Sequence, residues 1–160
     1  MMESKNRIFE TIQNERGDVA NIYRAFSNFP EGIQAHYDFY KNIVLAPDLP
    51  LPRSEREFLA VCTSQANQCP YCISHHGEAL KNFEAPSKSE SRFDLLKRLA
   101  TVLTQEPWKA GSLRNAFLAG GFSDSQWEHA VMVVSYFNLA NRCAHAMNVE
   151  LEKDFEKSCE

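Results

Sequence analysis

Apolar residues recur at spacings of three and four positions along almost the whole chain, and this periodicity constrains the fold more than any other feature of the sequence. It is clearest in residues 92–104 and between Asp124 and Met147, where an apolar stripe would cover one face of a helix. Strand-like alternation bounded by turn residues is hard to find. The sequence therefore predicts an all-α fold, a single compact domain of about seven or eight helices.

Turn and capping signals divide the chain into these helices. Gly17, the three prolines of segment 46–52 and Pro107 are expected to end or interrupt helices. Ser54-Glu-Arg-Glu57 and Ser123-Asp-Ser-Gln126 fit capping boxes, which begin helices. The predicted helices are 4–15, 18–27, 30–43, 54–67, 70–83, 92–104, 110–118 and 124–147. We assign residues 1–160 to one domain, in which 1–17 form an N-terminal helix or arm, 85–91 a polar loop and 153–160 a frayed tail.

Charge and hydropathy exclude several classes of partner. The formal net charge is −4 and no basic run exists, so the electrostatic footprint of a nucleic-acid-binding protein is absent. The longest apolar runs, 58–62 and 130–134, are too short to span a bilayer. No apolar signal segment follows the polar N-terminus. These observations predict a cytoplasmic protein with no nucleic-acid or membrane partner.

The segment Cys69-Pro-Tyr-Cys-Ile-Ser-His-His76 carries the chemistry of this chain. On a helix, Cys69, Cys72 and His76 fall within about 60° of one another, because each residue advances about 100° around the axis. Backbone N–H groups at the start of a helix favour a thiolate and lower a cysteine pKa from its free value of about 8.5. His76 lies one turn below Cys72, whereas His75 points further from Cys69. We therefore predict that Cys72 is the attacking thiol and that Cys69 resolves the product.

Three other interpretations of the dithiol stay open. A closed zinc site needs four ligands, and Cys62, His36 or His145 would have to complete the set. The thiols could instead be inert buried side chains. The dithiol could also be a redox sensor or a protein-interaction switch with little turnover. A secreted disulfide framework is not indicated, because the five cysteines are sparse and odd in number.

The string Arg53-Ser-Glu-Arg-Glu57, followed by Cys69-Pro-Tyr-Cys72 and His76, resembles the alkylhydroperoxidase D-like proteins of the carboxymuconolactone decarboxylase superfamily. In that pattern a Glu lies twelve residues before Cys-x-x-Cys, and a His follows after three intervening residues. Segments 136–142 and 149–152 are similar to the branch described as peroxidase-related. The resemblance covers roughly residues 18–152.

This resemblance implies an all-α fold, no metal or organic cofactor, and reduction of a small-molecule hydroperoxide through a dithiol/disulfide cycle. Cys72 would be the peroxidatic thiol, Cys69 the resolving thiol, and Glu57 with His76 a proton relay. The reductant would be a dithiol such as a dihydrolipoyl protein, and the chain would form a homo-oligomer, a trimer or a hexamer. The paired thiols argue against the lactone-decarboxylase branch. Tyr71 departs from the alkylhydroperoxidase D type, which carries a His before the second Cys, and a phenol with a pKa of about 10 is a poor base.

Other residues of chemical interest have structural explanations. By local sequence Glu57 fits a helix cap, whereas its spacing to Cys69 favours catalysis. The aromatic helix 33–43 is expected in the core, where it could line the thiol pocket. Packing, interface or tail roles are expected for three histidines, two tryptophans and three cysteines: His36, His129, His145, Trp108, Trp127, Cys62, Cys143 and Cys159.

Overall fold

Helices supply the regular secondary structure of this protein. A computed structural model describes residues 2–83 and 90–155, and these ranges contain eight α-helices and no β-strand. The helices are α1 (Met2–Arg16), α2 (Asn21–Arg24), α3 (Pro30–Tyr40), α4 (Arg53–Ala66), α5 (Pro70–Lys81), α6 (Glu90–Gln105), α7 (Arg114–Ala119) and α8 (Asp124–Ala146). A π-helical turn (Lys41–Leu45) extends α3, and a 3₁₀ segment (Pro107–Leu113) precedes α7. The predicted all-α class is confirmed.

Helix α4 lies at the centre of the single compact domain and packs against α5, α6 and α8. The apolar stripes predicted for α6 and α8 are buried, since Leu96, Leu99 and Phe137 are each at most 1% exposed. Burying one such side chain stabilises the fold by about 1.5–3 kcal/mol. This core holds α4 and α5, which carry Glu57 and the dithiol, in a fixed relation to each other.

One of the two predicted capping boxes is present and the other is absent. At the start of α8, the Gln126 N–H donates to Ser123 Oγ (3.2 Å) and the Ser123 N–H donates to Gln126 Oε1 (3.1 Å). Helix α4 instead begins at Arg53 after the extended residue Pro52, with no side-chain cap. Ser54 is therefore already inside the helix, and the predicted capping role of Glu57 is wrong.

Three predicted helices differ from the structure in extent. The helix predicted at 18–27 is reduced to the single turn of α2, because the extended residue Ala20 precedes it and residues 25–28 form turns. The helix predicted at 30–43 changes to π-helical geometry from Lys41 to Leu45. The helix predicted at 110–118 is divided between the 3₁₀ segment and α7, where Gly111 lowers helix propensity.

The N-terminal helix ends where the sequence indicates. Gly17 has a φ of +81°, a left-handed conformation that glycine adopts without strain, and it terminates α1. Most of the predicted polar loop 85–91 and most of the predicted tail 153–160 lie outside the described residues, as does Cys159. Among the described helices, none combines the length and the apolar character needed to cross a membrane.

Candidate active site

The start of α5 brings the two cysteines together at the end of a tight helical hairpin. Helix α4 ends at Ala66, and Gln68 turns the chain with a φ of +54°. Cys69 precedes the helix as its N-cap residue, and Cys72 lies in the first turn. Both side chains carry free thiols and are almost completely buried, with exposures of 1% and 3%. The predicted dithiol is therefore a close pair inside the protein.

The contacts of the dithiol favour a thiolate on Cys69 over one on Cys72. The sulfur of Cys69 accepts hydrogen bonds from the Cys72 thiol and, against the cost of burial, from the backbone N–H groups of Cys72 and Tyr71, and these contacts lower its pKa to about 6. Donating that hydrogen bond, together with burial, raises the pKa of the Cys72 thiol far above its ordinary value. These contacts favour the thiolate on Cys69 and the proton on Cys72.

Glu57 and His76 form a buried pair between α4 and α5. The Glu57 side chain is 0% exposed, and its Oε2 lies 2.7 Å from Nδ1 of His76. Its Oε1 accepts a hydrogen bond of 2.6 Å from Nε of Arg53. Burial raises the pKa of Glu57, but His76 and Arg53 outweigh this effect and the pKa is lowered overall. Glu57 is therefore a carboxylate, which orients the His76 ring and leaves its Nε2 atom for other partners.

Cys72 and His76 line the same cavity. The cavity has a volume of about 80 Å³, more than the roughly 10–15 Å³ that one water needs. His76 packs edge-on against Phe137, at 4.5 Å between ring centroids. The wall is mostly aromatic and aliphatic, and it includes Ile12, Ile22, Tyr23, Tyr37, Tyr40, Tyr71, Tyr136 and Phe137. The cavity suits a small reactive group attached to an apolar body, and helix α3 contributes to it through Tyr37 and Tyr40.

A second carboxylate, Glu152, also contacts α5. It accepts hydrogen bonds from Tyr71 Oη (3.0 Å) and the Asn21 backbone N–H, and it pairs with His75 Nε2 at 2.7 Å. Burial alone would raise the pKa of Glu152, but His75 and the backbone N–H groups lower it to about 2. Tyr71 therefore joins α5 to the C-terminal segment. The sequence assigned no role to Glu152.

Asn141 of α8 is a further buried residue beside the dithiol that the sequence did not single out. Its side chain is 0% exposed, accepts a hydrogen bond from Asn67 Nδ2 (2.9 Å) and donates one to Ser64 Oγ (3.0 Å). It also donates towards Cys72, which favours the thiolate form of that sulfur. The only signal in the sequence is a polar residue between the apolar positions of α8.

The remaining candidates, apart from His145, lie outside this cluster. His36 is buried and bonds to Tyr136 Oη (3.0 Å), and burial lowers its pKa to about 4. His129 is buried between Leu51 N and Ile43 O. Both have the packing role expected of them.

Trp127 is half-buried against Phe117, but Trp108 is 77% exposed and is not a core residue. Cys62 is buried and Cys143 half-buried, whereas His145 is exposed near Cys69.

The described Cys, His, Asp and Glu side chains form no cluster of three or more that could hold a metal ion. His36 bonds to Tyr136 through Nε2. His145 bonds to the Asn67 carbonyl through Nε2 at 3.1 Å. The described residues therefore give no support to a closed zinc site.

Comparisons with known proteins agree with this fold. The family model of the carboxymuconolactone decarboxylase family matches residues 30–88, the segment that contains Glu57, the dithiol and His76. Among curated proteins, the chain is similar to a Sestrin homolog from Drosophila melanogaster, with 23% identity over 139 residues. That alignment covers 78% of this chain, and the chain spans only 27% of the length of the Sestrin homolog.

Solved structures with the same fold cover nearly the whole chain. An uncharacterized peroxidase-related protein from Silicibacter sp. TM1040 has a TM-score of 0.83 and 24% identity, covering 99% of this chain and 90% of its own. A second such protein, from Ralstonia eutropha JMP134 and described as an alkylhydroperoxidase AhpD core, has a TM-score of 0.83 and 22% identity, with coverages of 98% and 90%. The debrominase Bmp8 has a TM-score of 0.73 and 17% identity, with coverages of 98% and 91%. Residues 30–88 are thus similar to the carboxymuconolactone decarboxylase family, and the chain has an alkylhydroperoxidase D-like fold.

Proposed function

We propose that this protein is a thiol peroxidase that reduces hydroperoxides with the Cys69–Cys72 dithiol. The observation that carries the proposal is the buried Glu57–His76 pair, with 2.7 Å between Oε2 and Nδ1, whose histidine lines the same aromatic cavity as Cys72. An oriented imidazole that lines the same cavity as a thiol can serve as a general base. Two structural neighbours described as peroxidase-related support the same reaction class.

The first chemical step oxidises Cys72. Its sulfur attacks the distal oxygen of the hydroperoxide, so that an S–O bond forms and the O–O bond breaks. His76 Nε2 takes the thiol proton and delivers it to the departing alkoxide, which leaves as an alcohol. The product is a sulfenic acid on Cys72. Glu57 stabilises the imidazolium that exists between the two proton transfers, because its carboxylate lies against Nδ1.

The second step closes the disulfide. The Cys69 thiolate attacks the sulfenic sulfur of Cys72, an S–S bond forms, and hydroxide leaves as water with one added proton. The lowered pKa of Cys69 keeps this nucleophile ready at neutral pH. A dithiol donor then returns two electrons by thiol–disulfide exchange and is itself oxidised to a disulfide. A dihydrolipoyl group is the donor class that we propose.

Steady-state peroxide consumption tests this proposal. The purified protein is supplied with cumene hydroperoxide and dihydrolipoamide, and wild type is compared with Cys72→Ser and with Cys143→Ser as a matched control. We expect turnover by wild type and Cys143→Ser and none by Cys72→Ser. Turnover by Cys72→Ser at the wild-type rate would refute the mechanism. Reversible oxidation without turnover in wild type would favour the redox sensor.

The proposal extends to cellular context and assembly. We propose a cytoplasmic homo-oligomer, a trimer or a hexamer, as the superfamily resemblance implies. The exposed apolar side chains of α8, Met132 at 45% and Leu139 at 46%, supply a surface that such an assembly would cover. Light scattering of the purified protein measures the mass, and a single 18.3 kDa species would contradict this part.

A further inference from the structure

The two sulfurs of the dithiol line different cavities. Cys72 lines the aromatic cavity together with His76. Cys69 lines a second cavity of about 220 Å³, which lies between the start of α5, the end of α8 and the segment that follows α8. Tyr71 contributes to both walls and separates the two spaces. In the proposed peroxidase cycle, each sulfur of the disulfide thus has its own neighbouring cavity.

The second cavity differs from the first in its chemistry. It contains no phenylalanine, and its polar groups are Ser74, His145 and Asn148 beside the sulfur of Cys69. Its other walls are the ring of Tyr71 and the aliphatic residues Pro70, Ala144, Val149 and Leu151. His145 and the N-terminal end of α5 both favour negative charge on the Cys69 sulfur. An anionic thiolate attached to a narrow aliphatic chain matches this combination.

We propose that the second cavity is the access route of the electron donor, a slender aliphatic dithiol whose thiolate attacks Sγ of Cys69. This inference rests on the proposed peroxidase function and adds the site of reduction to it. Attack at Cys69 forms a mixed disulfide between donor and Cys69 and breaks the Cys69–Cys72 bond. Cys72 leaves with the bonding electrons as a thiolate and then takes up a proton that the donor thiol has released to solvent. The second donor thiol then attacks the donor sulfur of the mixed disulfide and releases Cys69.

The groups around each sulfur suit these two exchanges. The hydrogen bond from Asn141 stabilises negative charge on Cys72 as it leaves in the first exchange. The backbone N–H groups of Tyr71 and Cys72 stabilise the thiolate of Cys69 as it leaves in the second exchange. Exchange rates depend on access to the attacked sulfur as well as on the leaving group. The aromatic cavity, with about 80 Å³, remains available to the hydroperoxide throughout the cycle.

The size of the second cavity selects the kind of occupant. A space of about 220 Å³ admits a thiol-bearing chain but not a folded domain, so the donor must present its dithiol on an arm. Dihydrolipoamide is the probe for the test, since it has two thiols on a short aliphatic chain. A monothiol with a bulky body should reduce the disulfide more slowly at equal thiolate concentration.

Blocking each cavity separately tests the inference. Ser74→Trp fills the second cavity from a half-exposed helix position, and Ala20→Trp fills the aromatic cavity as the matched variant. Two half-reactions are followed by stopped flow: oxidation of the reduced protein by cumene hydroperoxide, and reduction of the Cys69–Cys72 disulfide by dihydrolipoamide. The disulfide for the second half-reaction is made with diamide, so that it does not depend on peroxide chemistry. Circular dichroism checks that both variants are folded.

We expect Ser74→Trp to slow reduction by about tenfold or more, because access to the attacked sulfur is lost. It should leave oxidation by cumene hydroperoxide within about twofold of wild type, since the two sites are separate. Ala20→Trp should show the reverse pattern. The inference is overturned if Ser74→Trp leaves reduction unchanged while Ala20→Trp slows both half-reactions. Failure of wild type to react with the hydroperoxide would instead refute the proposed function, while reduction of the diamide-made disulfide would still test the cavity.

Discussion

Helix α5 carries two adjacent histidines, each paired with a glutamate. The two pairs have the same distance between nitrogen and oxygen, but their glutamates lie in different surroundings. His76 lies 2.7 Å from Glu57, and His75 lies 2.7 Å from Glu152. Glu57 belongs to the core helix α4 and is completely buried, whereas Glu152 belongs to the segment after α8 and is 15% exposed. The distance between histidine and carboxylate therefore does not identify a catalytic base.

What distinguishes the pairs is the rest of their surroundings. Both histidines line the cavity of Cys72, but the second oxygen of Glu57 accepts a hydrogen bond from Arg53. Glu152 also accepts hydrogen bonds from Tyr71 and the Asn21 backbone, and these contacts tie three parts of the chain together. We infer that the Glu57–His76 pair transfers a proton. We infer that the Glu152–His75 pair holds α5 against the N-terminal and C-terminal segments of the domain.

The largest expected effect separates the two pairs by activity. Glu57→Gln should slow oxidation of the reduced protein by cumene hydroperoxide by about 10²–10³-fold, because it removes the anion that stabilises the His76 imidazolium. Glu152→Gln should slow the same step by no more than about threefold, since a fastening pair does not touch the reacting atoms. Single-turnover stopped flow measures both. Equal losses of oxidation rate in the two variants would contradict the inferred difference between the two pairs.

The next effect separates the pairs by stability. Glu152→Ala removes a carboxylate that accepts three hydrogen bonds, and we expect the free energy of unfolding to fall by about 1.5–3 kcal/mol. Tyr71→Phe removes only the phenol oxygen and should cost about 1 kcal/mol. Urea unfolding followed by circular dichroism measures both changes. A Glu152→Ala variant as stable as wild type would show that the contacts of Glu152 do not stabilise the domain.

The pH dependence of stability sharpens the same point. The folded pKa of Glu152 is about 2, below its ordinary value of 4.5. The unfolded chain therefore binds this proton first, so the stabilisation is complete above about pH 4.5 and is lost as the pH falls towards 2. Wild type should lose stability across this window more steeply than Glu152→Gln. Parallel unfolding curves for the two proteins between pH 5 and about 2.5 would contradict this assignment.

The smallest expected effect is a change in the pKa of Cys69 when the Cys72 thiol, the proposed source of the transferred proton, is removed. The Cys72 thiol is the main donor to the Cys69 thiolate, so Cys72→Ala should raise the pKa of Cys69 from about 6 by about one unit or more. Thiolate absorbance at 240 nm, with Cys69→Ala subtracted as the control, gives the midpoint. An unchanged midpoint would mean that Cys72 does not carry the proton of the pair.

The sequence was most informative where contacts are local. Apolar spacing located α6 and α8, and the Ser123 box located the start of α8. The same helical geometry placed the dithiol and His76 on one helix. The cap predicted for Glu57 failed, because Pro52 and Arg53 begin the helix before Ser54 and no local pattern reveals that shift.

The rest of the candidate site depends on contacts between distant segments. Glu152 meets His75 across 77 positions and Asn21 across 131 positions. Asn141 meets Ser64 across 77 positions. The division of charge between the two sulfurs depends on hydrogen bonds at the start of α5, and the two cavities depend on how α8 packs beside it. These features follow from tertiary packing, which neither periodicity nor spacing records.

The most direct test of the central claim is to trap the first product of the reaction. Reduced Cys69→Ser is mixed with one equivalent of cumene hydroperoxide and dimedone, and the labelled peptide is identified by mass spectrometry. The account predicts one dimedone adduct per chain, on Cys72, because the sulfenic acid has lost its resolving partner. No adduct on Cys72, together with an equally fast adduct on Cys69 in the reciprocal variant Cys72→Ser, would contradict it.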